Sequence, residues 1–183
     1  MPDPDQYAST ASSTTQQFVE TFLDLKADGV DIHLVATSAS AATVAAGSFN
    51  GVQIDQPRSC RVTTTAALGN VILTGTLADG TTGQTDTIVT ANATVEGVKA
   101  FAELTSIQYP DSTSHTIAIE LSNKLGLVNG IAATADVYKC VKNGAHSASP
   151  TVVTANNTVS VGAISANDDV TVRYKGAHIH GLS

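Results

Sequence analysis

The chain has no tryptophan, one methionine, four phenylalanines and four tyrosines among its 183 residues. A core without bulky aromatics must be built from Val, Ile, Leu and Ala. Cations are scarce too: nine Lys and Arg stand against sixteen Asp and Glu, for a formal net charge of −7. Nucleic-acid surfaces need clustered cations to displace counterions from phosphates. The nearest cluster, Arg173-Tyr174-Lys175, is too short for that, so direct contact with DNA or RNA is not expected. No run of 18 or more apolar residues occurs, so no membrane-spanning helix is expected. The N-terminal MPDPDQYASTASS has neither the positive start nor the apolar core of a secretory signal, which points to synthesis and retention in a cytoplasm.

Catalytic signatures are missing as well. There is no Gly-x-Ser-x-Gly elbow, no phosphate loop and no dinucleotide fingerprint, and the acids are scattered. The chain is therefore not expected to be an enzyme or to carry a cofactor. Asp79-Gly80, Asp111 and Asn156-Asn157 lack calcium-loop spacing and read as turn chemistry. Asp168-Asp169 reads as a turn cap. Only two cysteines are present, Cys60 and Cys140, each inside a strand-like run. They read as buried free thiols. A disulfide requires neighbouring strands, and a reducing compartment disfavours it. His33, His115 and His146 stand alone. His178 and His180 are two apart and share one side of an extended chain, so a threefold axis could gather six imidazoles about a metal. The simpler reading is a solvated chain end without metal.

What the sequence has is threonine, valine and isoleucine in short runs. Pro57 to Pro110 carries several such runs, punctuated by Gly, Asp and Asn. Leu77 to Gly83 reads as a hairpin tip, with Asp79-Gly80 supplying positive φ. Val71, Leu73 and Leu77 share one face, as do Ile117, Ile119 and Leu121. Phe101, Leu104 and Ile107 break the two-residue period, which implies a bulge or burial on both faces. Asn123 to Leu127 reads as a compact apolar turn. Eight to ten short strands at roughly ten-residue spacing predict a mainly β chain, an antiparallel β-sandwich or barrel.

One helix is expected. Ser13 with Gln16 resembles a capping box, Phe18, Phe22 and Leu25 fall on one helical face, and Gly29 ends the run. Two of the four phenylalanines lie there, so Phe18, Phe22 and Leu25 are candidates for a contact with a neighbouring subunit or another partner. The expected organisation is an N-terminal arm over residues 1–28 (disordered start, then short helix), a β-sandwich over 29–175 and a tail over 176–183.

The order of motifs resembles small virion structural proteins of tailed bacteriophages. The matching residues are Pro57-Arg58, Thr74-Gly75-Thr76 with Asp79-Gly80, and Gly97-Val98-Lys99-Ala100-Phe101. They continue through Thr105-Ser106-Ile107-Gln108-Tyr109-Pro110 and Asn123-Lys124-Leu125-Gly126-Leu127 to the last strand, Val170 to Tyr174. The resemblance covers about residues 30–175. It implies a particle component found in the virion and assembled in the host cytoplasm, a capsid decoration or cement protein. Its partners would be the major capsid protein or other virion proteins and further copies of itself, a trimer by preference. The alternatives are a tail, adaptor or fibre-base component, or a surface or carbohydrate-binding β-module.

Overall fold

The computed structural model describes residues 15–146 and 150–177. It is mainly β, and its paired strands run antiparallel. The strands are β1 (Thr15–Leu25), β2 (Asp31–Val35), β3 (Ala42–Ala45), β4 (Arg58–Thr65), β5 (Asn70–Leu77), β6 (Gln84–Val89) and β7 (Asn92–Tyr109). They continue as β8 (Ile117–Gly126), β9 (Val137–Lys142), β10 (Ala145–His146), β11 (Thr151–Val153), β12 (Thr158–Ser160) and β13 (Asp168–Ala177). Among the described residues the strands outnumber the expected eight to ten, because several are only two to four residues long.

They form two sheets. The small one runs β1-β13-β9-β10, and the large one β11-β12-β8-β4-β7-β5-β6, with β2 beside β8 and β3 beside β7. Each has its own apolar cluster. The large-sheet core gathers Ile32, Val62, Leu73, Phe101, Ile107, Ile119 and their neighbours. The second core packs the small sheet, through Phe22, Val170, Val172, Tyr174 and Cys140, against Leu125, Leu127 and Val159 at one end of the large sheet. This is a sandwich-like arrangement.

The expected N-terminal helix is not formed; Thr15–Leu25 is a strand on the edge of the small sheet. A spacing of four places Phe18 and Phe22 on one side of a strand as readily as of a helix, since four is a multiple of both periods within error. Leu25, seven positions beyond Phe18, would face outward in an unbroken strand. Instead the register shifts between Phe22 and Leu25, and Asp24 takes φ 51°. That one-residue bulge turns Leu25 back inside. Within the expected arm over residues 1–28, Thr15–Leu25 is part of the folded sheet.

Phe101, Leu104 and Ile107 show the same device, here as expected. Pairing of β5 with β7 slips between Thr74 and Gly75 and again between Thr76 and Leu77, so residues three apart all enter the core. Gly75 is required there, because a Cβ would stand 2.1 Å from the Glu103 carbonyl oxygen. The tip from Leu77 to Gln84 is a hairpin turn: Gly80 has φ 86°, and the Thr81 amide donates to Asp79 Oδ1 at 2.9 Å. Asn123 to Gly126 is not a turn; it continues β8 into its pairing with β12, and Leu127 follows the strand. β13 passes through Gly176 to Ala177, beyond the expected start of the tail.

Candidate functional site

Three of the motifs that carry the resemblance, Pro57-Arg58, Gly97 to Phe101 and Asn123 to Leu127, lie far apart in sequence and meet at one place. Between Ser59 opposite Ala100 and Arg61 opposite Glu96, β4 advances two residues while β7 advances four. Between Arg58 opposite Leu125 and Cys60 opposite Leu121, β4 again advances two while β8 advances four. Both neighbours of β4 thus bulge side by side, β7 opposite Cys60 and β8 opposite Ser59. A bulge leaves backbone groups without ladder partners, and buried ones must be satisfied some other way.

Each bulge has its own charged partner. The amides of Val98 and Lys99 donate to Asp86 Oδ2 at 2.7 and 3.0 Å. Gly97 leaves room for that carboxylate, since a Cβ would stand 2.7 Å from Asp86 Oδ2 and 2.8 Å from the Cys60 carbonyl oxygen. In the other bulge the Ser122 carbonyl accepts from Arg58 Nε at 2.7 Å and from Nη2. Arg58 Nη1 donates to the Lys26 carbonyl at 2.8 Å and faces Asp55 at 3.4 Å. The Arg58 side chain is completely buried. Burial pushes its guanidinium pKa down, and Asp55 opposes that shift. Ser122 Oγ donates to Glu96, and Lys124 Nζ to the Gly97 carbonyl at 2.8 Å. The two bulges are therefore bolted to each other at the boundary between the cores.

Beside this junction lies a cleft of about 290 Å³. Asp79, Gln84, Lys99, Asn156 and Asn157 line it, with Leu127 in the floor. Much of this chemistry is spent on the fold. Lys99 Nζ donates to Gln84 Oε1 at 3.1 Å, and Asn157 Oδ1 accepts from the Ile131 amide at 3.1 Å. Asp79 is the single carboxylate in the lining and Lys99 the single amine, so the cleft holds no nucleophile with its base and no carboxylate pair.

The residues selected from sequence are dispersed. Phe22 and Leu25 are 3% and 0% exposed, inside the chain's own second core, and the Phe18 ring sits 5.5 Å from that of Tyr174. Cys60 lies in one core and Cys140 in the other; both are free and buried. Burial raises both thiol pKa values, Cys140 to about 11 and Cys60 further. His33 is buried between Phe49 and Tyr109, and His115 Nδ1 hydrogen-bonds Thr65 Oγ1 at 2.8 Å. His178 and His180 lie outside the described residues. Among the described residues no three His, Cys, Asp or Glu side chains group to hold a metal.

No protein-family model matches the chain, and neither a curated protein nor a solved structure matches it.

Sequence reasoning missed the junction. Arg58 read as the head of a strand after Pro57, and nothing in the local composition marks a guanidinium that will be buried. The doubled irregularity of the Gly97 and Asn123 motifs is the signal that was available.

Proposed function

We propose that the chain is a structural component of a virus particle, a decoration protein that binds the outside of a tailed-phage head and reinforces it. One observation supports this reading: three of the motifs that resemble phage virion proteins, Pro57-Arg58, Gly97 to Phe101 and Asn123 to Leu127, meet at a single constructed junction. Those three are parts of one device, so the resemblance reaches beyond isolated turn residues. The device suits the role. A shell-reinforcing protein must meet many identical sites in one fixed shape, and two cores bolted through paired bulges make a stiff body with loops at its ends. Closed cyclic symmetry would let several copies engage the lattice together, with a trimer preferred.

The test is reconstitution. Heads that lack the chain are incubated with the purified protein, sedimented and imaged. Saturable binding with new ordered density on the head surface is the expected result. Density at the tail or neck would move the protein to the adaptor or fibre-base class, and binding to neither would end the virion reading.

A further inference from the structure

Six of the nine Lys and Arg side chains are engaged within the fold: Lys26, Arg58, Arg61, Lys99, Lys124 and Lys142. The other three are Lys139, Arg173 and Lys175. All three are exposed, and they make no hydrogen bond or ion pair among the described residues. They stand together. Val170, Val172 and Tyr174 of β13 are buried in the second core, so Thr171, Arg173 and Lys175 point to the outer face of the small sheet. Arg173 pairs directly with Lys139 on one side and with Val19 on the other, and Lys175 pairs with Gln17.

The same face carries apolar surface. Val19 is 58% exposed, Leu23 53% and Tyr138 47%. Tyr138 occupies the extra residue where β9 slips against β13, and its hydroxyl donates to Gln17 Oε1 at 3.4 Å, lying across the sheet. No Asp or Glu occupies the outward positions Gln17, Val19, Thr21, Thr171, Arg173, Lys175, Lys139 or Val141, and the acids Asp24 and Asp169 lie at the far end of the face, next to Leu23. On a chain of net charge −7 this is a basic, partly apolar face of opposite sign to the whole.

We infer that the outer face of the small sheet is the docking face, and that its partner is an acidic, partly apolar surface of another protein. The inference rests on the particle reading and names the side of the molecule that meets the lattice. Charge complementarity selects the partner. Three cations beside exposed valine, leucine and tyrosine are too few to track a phosphate polymer. A second copy meeting this face through a twofold axis would set like charges against each other.

Two variants separate the contributions: K139E/R173E/K175E and V19S/L23S. The altered side chains are exposed, and far-UV circular dichroism checks that the fold is kept. Wild type and variants are measured against heads lacking the chain, immobilised poly-L-glutamate and a DNA duplex, and sedimentation velocity follows self-association. Salt-sensitive binding of wild type to heads and to poly-L-glutamate is expected, weakened about tenfold or more by the triple reversal. V19S/L23S should weaken head binding and leave its salt dependence unchanged. A triple variant that binds heads as tightly as wild type overturns this inference and leaves the particle reading intact. A wild type that ignores heads but is held by poly-L-glutamate through this face ends the particle reading and leaves the face. Stronger retention on the duplex, self-association lost in the triple variant, or no binding to either heads or poly-L-glutamate overturns the assignment.

Discussion

The two cores are made differently. The large-sheet core is almost wholly aliphatic around one phenylalanine, and its members come from long paired strands. The second core joins β1 and β13 to residues between strands, Leu127, Ile131, Val161 and Ile164, and a polar contact reaches into its edge: the Tyr174 hydroxyl bonds Glu20, which also accepts from the Val128 amide at 2.9 Å. The first lies within one sheet and its loops, and the second adds side-chain hydrogen bonds between segments more than a hundred residues apart. The first is expected to form the stable body and the second to open first.

The sharpest way to break this distinction is to remove what joins the two. Arg58→Met leaves the Ser122 and Lys26 carbonyls and Asp55 without their buried partner, and should cost about 3–5 kcal/mol. Urea denaturation measures it, and both cores should lose protection together. Next come the cores themselves. Phe101→Ala should cost about 3–5 kcal/mol and lower stability globally. Phe22→Ala removes an aromatic ring from an edge strand. It should raise hydrogen exchange in β1 and β13 while β4 and β7 stay protected. Equal effects on both sheets would show one cooperative unit.

A smaller effect depends on pH. Burial is the main cause that holds the Glu20 carboxyl above its ordinary 4.5. The folded state then binds this proton more tightly than the unfolded state. Its contribution is fully present below pH 4.5 and is lost as pH rises through the folded value. Glu20→Gln keeps an acceptor for Tyr174 and the Val128 amide and removes the charge. The stability of the variant relative to wild type should therefore grow as pH rises from 4.5 toward 7, read as the difference between two melting curves. Asp168 acts with opposite sign. The Ser165 amide and Asn143 side chain lower its pKa below 3.8, so its contribution is lost on acidification. The smallest effect belongs to Thr64, whose buried hydroxyl has no hydrogen-bond partner among the described residues. Thr64→Val should be neutral or stabilising by up to about 1 kcal/mol, by thermal melt.

The large-sheet core was legible because its strands keep their period or break it visibly. Ile117, Ile119 and Leu121 alternate, and the three-residue steps of Phe101, Leu104 and Ile107 announced a bulge. The second core hid behind β1. There a single left-handed aspartate re-phased Leu25 and made a strand imitate a helix. Local patterns report period, and a bulge changes phase without changing composition. The cationic face was illegible for another reason. Arg173-Tyr174-Lys175 is short in sequence, and strand pairing brings Lys139 and Val19 to it from 34 and 154 positions away.

The edge strand has a mechanical consequence. Thr15 pairs with Ala177 and Leu25 with Asp168, so both outer strand ends lie at the same end of the small sheet. Tension applied between them loads the residue pairs one at a time, as a zipper does, and not all at once in shear. The rest of the molecule carries no force until the teeth have parted as far as Phe22 and Val170. A chain tethered by those two ends yields early and locally, a fuse ahead of a rigid block.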